Sequence, residues 1–246
     1  MQRVRRLAPI VTVALLTGVV LAGCRSAPDV AAYVGSDKIT EEQVDDIVND
    51  FAAKRGTLTP EQLAAGASQT LAREDVVMTL VLQEVCEQFQ AEKGFASVPV
   101  TPAQVAESGN LPVGSLWAQE RATLFSCTQG MPEAAPVTPT EAELKALYDE
   151  LVAIGAADPA QAPFETVKAD LAQNQDVLGA IANQRLFADA MKSSDVTVNP
   201  RYRPLELPLL TARGNEALIS VPLGEGGNNA VVKAPATAGA PLVPAS

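Results

Sequence analysis

The chain has 246 residues, a formal net charge of −11 and no histidine. Without an imidazole, Ser-His-Asp and Cys-His nucleophile systems and the usual histidine-containing zinc sites are excluded, and three widely separated cysteines cannot build a four-thiolate cage. The acidity also removes the electrostatic footprint of a nucleic-acid binder, while 47% apolar residues with only 4% aromatics favour packed helices over a β-sandwich.

Residues 1–23 read as an export signal. Arg3, Arg5 and Arg6 precede an uncharged stretch from Leu7 to Val20, whose length of about 15 residues falls short of the roughly 20 that span a bilayer. Leu21-Ala22-Gly23-Cys24 resembles the lipobox of bacterial lipoproteins, which implies that Cys24 gains diacylglycerol and becomes the mature N-terminus. A plain signal peptide with an incidental cysteine is the alternative. This reading makes the protein extracytoplasmic and lipid-anchored to the cell membrane. Loss of the three arginines takes the charge to about −14, so acyl chains rather than a basic patch must hold it there. Residues 24–30 form a tether reaching at most about 20 Å.

Ala31 to Gly35 reads as a brief strand ending in a turn at Ser36-Asp37. Thr40 and Gln43 form a capping box, with Ile39 able to staple onto Val44, and Val44, Ile47, Val48 and Phe51 follow on one helical face as far as Gly56. Thr59-Pro60-Glu61-Gln62 starts a short helix. A long one from about Ser68 to Lys93 carries apolar residues on more than one stripe, which predicts a central position. Short helices follow from Pro102 and from Ser115 to Gln129, then a proline-rich break from Met131 to Pro139. Thr140 and Glu143 box the start of a helix with Leu144, Leu147, Tyr148 and Leu151 on one face. A long helix is expected from about Phe164 to Met191, then a strand at Val196–Val198. The Gly/Pro/Ala-rich text after Pro204 predicts that residues 205–246 are a largely disordered tail, above all from about Gly214.

Gly224-Glu225-Gly226-Gly227 lacks the Lys-Ser/Thr of a phosphate loop and reads as tail. Glu41, Glu42, Asp45 and Asp46 are where carboxylate-only catalysis would be sought, but their positions on the polar side of a helix fit a solvated face. With Cys24 lipidated, Cys86 and Cys127 remain, an even number in a compartment that permits disulfides. A bridge between them is expected; two buried free thiols are the alternative. No metal or cofactor is expected.

From Tyr33 to Val44 (Tyr-Val-Gly-Ser-Asp-Lys-Ile-Thr-Glu-Glu-Gln-Val) the chain resembles the N-terminal domain of the SurA/PrsA class of extracytoplasmic chaperones. Thr138 to Asp149 is similar to that family's Thr…Glu-Leu…Tyr segment. The helix opening at Phe164-Glu165-Thr166-Val167-Lys168 and closing at Val196 to Tyr202 is similar to its final helix and strand. The likeness covers residues 30–204. It implies a mainly α fold: a helical chaperone-like bundle over 31–204, its N-terminal part (31–130) closed by a returning part (138–204), with a small two-stranded sheet in which Val196–Val198 pairs with Ala31–Val34. Family members often insert a parvulin prolyl-isomerase module of about 90 residues between the two helical parts. Here only Ile154–Pro163 separates Leu151 from Phe164, too little chain for a domain, and parvulin sites use histidines that this chain lacks. Arg203 also stands where the family leads one to expect Gly. The resemblance therefore implies a non-enzymatic chaperone or folding factor that binds unfolded or partly folded secreted proteins in an apolar groove. The competing readings are an adaptor lipoprotein that docks one envelope partner, its apolar faces being ordinary core, and a carboxylate-only hydrolase.

Overall fold

A computed structural model describes residues 27–56, 58–64, 70–212 and 216–224. The architecture is mainly helical, with one three-stranded sheet and one two-stranded sheet, neither closed into a barrel. Strand β1 (Val30–Val34) turns at Gly35, which adopts φ +59°, into β2 (Asp37–Thr40), and both feed helix α1 (Glu41–Arg55). Thr40 caps α1 as its sequence signals require: Gln43 N donates to Thr40 Oγ1 at 3.2 Å, and Thr40 N donates to Gln43 Oε1 at 2.9 Å. Val44, Ile47 and Phe51 form the buried face.

The short α2 (Pro60–Ala64) precedes α3 (Arg73–Lys93), the central helix. Its buried positions run through Val76, Val77, Leu80, Val81, Leu82, Val85, Cys86 and Phe89, so it is covered on more than one side. It begins later than the periodicity suggests, since Ala72 is extended, and it ends at Gly94 with φ 74°. Helix α5 (Leu116–Thr128) packs beside it, and α4 (Pro102–Ser108) packs against α5.

The second half returns through α6 (Glu141–Ala153), α7 (Phe164–Gln173) and α8 (Gln175–Ser194) to β3 (Val196–Val198). β3 pairs antiparallel with β1, Ala32 opposite Val198 and Val34 opposite Val196, as expected. The sheet nevertheless has three strands in the order β2-β1-β3 rather than two, because Asp37–Thr40 folds back on β1 before the helix starts.

Three further expectations are corrected. The single helix at 164–191 is two helices broken at Asn174, whose backbone is extended (φ −70°, ψ 121°). The Asn174 side chain instead caps α8, accepting from Asp176 N at 2.9 Å and Val177 N at 3.1 Å. The tether is shorter than 24–30, for Val30 is already a buried strand residue. The region after Pro204 is not featureless: β4 (Glu206–Thr211) and β5 (Ala217–Pro222) form an antiparallel hairpin. Its Ile219, Val221 and Leu223, with Leu205 just before it, are buried, so burial rather than local propensity orders it. The part of the expected tail at 225–246 lies outside the described residues. Arg203 is extended (φ −94°, ψ 143°), so this turn has no need of glycine.

Two hydrophobic cores result. The larger joins α1, α3, α4, α5, the three-stranded sheet and the C-terminal half of α8. The smaller gathers Leu144 and Leu147 of α6, Val177, Ala180 and Ile181 of α8, and Ile219 of β5. The hairpin straddles them, and Leu209 packs against both.

Candidate functional site

Among the described residues, the densest polar constellation lies where the N- and C-terminal parts of the chain meet. The first turn of α1 supplies Glu41, the second Asp45, the start of α3 Arg73, and the 3-10 turn at Pro200–Tyr202 supplies Arg201 and Tyr202. Arg73 Nη2 lies 2.7 Å from Glu41 Oε2, Arg73 Nη1 donates to Asp45 Oδ1, and Arg73 Nε donates to the Tyr202 hydroxyl at 3.3 Å. The Tyr202 hydroxyl donates to Glu41 Oε2 at 2.7 Å, and Arg201 Nη1 faces Glu41 Oε1 at 3.2 Å. The side chain of Glu41 is only 14% exposed. Asp45 first, then Tyr202, hold the Arg73 guanidinium firmly protonated. Burial, reinforced by the Glu41 carboxylate, pushes the Tyr202 phenol above its usual range.

This answers the question posed by the four acids of α1. Glu41 and Asp45 converge on a guanidinium rather than on each other, while Glu42 and Asp46 face solvent. Paired carboxylates neutralised by arginine and closed over by a tyrosine form an ionic clasp, and neither groove described below is lined by any of them. Sequence reading missed Arg73, Arg201 and Tyr202 as partners of Glu41. The signal available was an Arg at the first position of α3, where the helix N-terminus disfavours a cation.

Cys86 and Cys127 stand at disulfide distance, with Cα atoms 6.2 Å apart and both residues 2% exposed. The bridge staples α3 to α5. Cys24, the expected lipidation site, lies outside the described residues.

Two shallow grooves offer room for a ligand. One, of about 460 Å³, runs between α6 and α7 and is lined by Pro139, Glu141, Leu144, Lys168, Ala169 and Ala172, among others. Lys168 bridges it to Glu141 at 2.6 Å. Helix α7 has an apolar face in Phe164, Val167 and Leu171, yet none of its residues is fully buried. Phe164 meets Tyr148 in a tilted ring contact, centroids 5.5 Å apart, and the ammonium groups of Lys145 and Lys168 each approach its ring within about 6 Å. The second groove, of about 370 Å³, lies between α4 and α5 and is lined by Val100, Val105 and Phe125 with Gln104, Ser108 and Gln129. Among the described residues, the exposed large apolar side chains are Val98 at 42% and Val113 at 74%.

A second acidic group sits at the α3–α5 seam. Burial, and then the neighbouring charges of Glu87, Asp37 and Glu120, hold the Glu84 carboxyl above its usual range; burial and then Glu87 do the same for Glu120. Among the described residues no group of three or more Cys, Asp and Glu is placed to hold a metal ion, and no helix is long and apolar enough to cross a membrane. No family model, curated protein or solved structure matches this chain.

Proposed function

We propose that this protein is a membrane-tethered, extracytoplasmic chaperone or folding factor that binds unfolded or partly folded exported proteins and does not catalyse prolyl isomerisation. The observation that carries this reading is the half-covered apolar face of α7, set beside the open groove it shares with α6. A helix with such a face normally completes its burial against a neighbour. Phe164 and Leu171 of α7 pack only partly against the smaller core, and the groove beside them is lined by Leu144, Ala169 and Ala172 between Glu141, Glu165 and Lys168, which suits loose binding of extended, partly apolar segments. The ten-residue connection Ile154–Pro163 is a closed turn: Ala156 N and Ala157 N both donate to Leu151 O, and the Tyr148 hydroxyl donates to Ala162 O at 2.7 Å. Anchorage through Cys24 would hold this body against the membrane surface.

A second reading, an adaptor that docks one dedicated envelope partner, is favoured by the scarcity of exposed large apolar side chains among the described residues, which limits indiscriminate capture. Breadth of binding separates the two. The chaperone reading expects suppression of aggregation of at least two unrelated denatured proteins at near-equimolar ratio, weakened by Phe164→Ser. Crosslinking from native membranes that recovers one stoichiometric partner, with no aggregation suppression, would establish the adaptor instead. Replacing Cys24 with Ser should abolish acyl labelling, because only a thiol can form the thioether; retained labelling would refute the anchor.

A further inference from the structure

Five consecutive backbone carbonyls, from Ala27 to Ala31, each accept a hydrogen bond. Val30 N takes Ala27 O at 3.1 Å, Arg201 Nη2 takes Pro28 O at 3.1 Å, and Glu41 N takes Asp29 O at 2.9 Å. Asn199 takes the last two, its side-chain amide donating to Val30 O at 2.9 Å and its backbone N to Ala31 O at 2.9 Å. Asn199 Oδ1 also accepts from Arg201 N at 3.2 Å, which fixes the turn that presents both side chains. Arg201 is held in turn by Glu41 at 3.2 Å. A segment at the start of a folded body normally leaves such groups to water. Here three of the five donors come from two residues about 170 positions downstream.

We infer that Asn199 and Arg201 form a latch by which the C-terminal half locks the segment that leads to the membrane anchor. The inference rests on Cys24 as the attachment point. With the latch closed, two residues, Arg25 and Ser26, separate Cys24 from the first fixed carbonyl at Ala27, a reach of about 10 Å; opening it removes three of the five ties and leaves the local Val30–Ala27 and Glu41–Asp29 bonds, whose fraying extends the free length to Val30, about 20 Å. The latch thus sets both the stand-off of the body and its orientation at the bilayer, and whatever undocks residues 199–203 releases both. No covalent step is involved: release exchanges protein hydrogen bonds for water.

The latch is tested by trypsin cleavage after Arg25, because a protease must bind several residues on either side of the bond in extended form, including Ala27 to Asp29. Full chain in detergent is digested, and the rate after Arg25 is divided by the rate after Arg121, which lies in α5 and is half-buried. Asn199→Ala/Arg201→Ala is expected to raise this ratio at least tenfold, while Glu42→Ala, an exposed neighbour, leaves it at the wild-type value. A ratio unchanged in the double variant overturns the latch, including the case in which general unfolding accelerates both cuts together. Acyl labelling of Cys24 is measured on the same samples. A raised ratio without label keeps the latch and removes the anchor; label with an unchanged ratio does the reverse.

Discussion

Replacing Cys86 and Cys127 together with alanine should be costly while leaving every helix intact. The two residues are 41 apart in sequence, and tying them closes a loop that contains α4 and the whole approach to α5. In the chain-entropy account a loop of that length removes about 13 cal/mol/K from the unfolded ensemble, or about 4 kcal/mol at room temperature. Both side chains are 2% exposed, so alanine also leaves small voids in the core and the loss should be no smaller than this figure. With a urea slope of about 2.5 kcal/mol per molar, the midpoint should fall by roughly 1.5 M, and the melting temperature by about 10 °C. The assay is urea unfolding followed by Trp117 fluorescence and by circular dichroism, with wild type measured oxidised and reduced. Reduced wild type should unfold close to the double variant, and the denatured, unreduced protein should offer neither thiol to an alkylating reagent. A midpoint shift below about 0.3 M, or two alkylatable thiols, would show that α3 and α5 are held by packing alone.

Three further outcomes are expected. Arg73→Met leaves the mostly buried Glu41 carboxylate with only Arg201 and the Tyr202 hydroxyl as partners and should cost about 1 kcal/mol in urea unfolding, less than breaking a fully buried pair because the Arg73 side chain is 38% exposed; adding Glu41→Gln should recover part of that loss, and no recovery would refute the clasp. Glu120→Gln should raise the melting temperature at pH 7. A carboxyl whose folded pKa is raised gives stability that is fully present below its unfolded value, near 4.5, and lost as pH rises through the folded value, so variant and wild type should converge below about pH 4 and separate above it; an unchanged or lower melting temperature at neutral pH would remove the like-charge seam. Ending the chain after Pro204 discards buried Leu205, Ile219, Val221 and Leu223, which at about 1.5–3 kcal/mol each should abolish a cooperative melt; a truncated body that melts within a few degrees of wild type would mean the hairpin is ornamental.

What the sequence made legible is what local chemistry decides. The capping boxes expected at Thr40 and Thr140 form where Thr precedes Gln or Glu by three residues, a third forms with the same spacing at Thr101, and each begins its helix at the next position. The return of β3 to β1 was expected because two short strands need each other. Non-local burial was not legible. Glu206 to Thr211 alternates poorly and carries Pro208 in mid-strand, a residue that fits only an edge; it is ordered because Leu207 and Leu209 reach cores assembled from distant helices. Asn174 reads as an ordinary polar residue within a helical pattern until its side chain is seen capping α8. Glu41 looked solvated for the same reason: its cation lies 32 residues on and its phenol 161 residues on, neither at helical spacing.

The pairing of β1 with β3 also fixes an order of events. A chain delivered from its N-terminus, whether by synthesis or by the export proposed above, presents Ala32 about 165 residues before the Val198 that lies opposite it. Until then β1 has β2 on one side and an open edge on the other, and Ala31, Ala32 and Val34, almost wholly buried in the finished fold, lack part of their cover. The larger core therefore closes only after nearly the whole chain is available. On the export route proposed above, the chain would cross the membrane with a naked strand edge, in need of the same protection we propose that it gives.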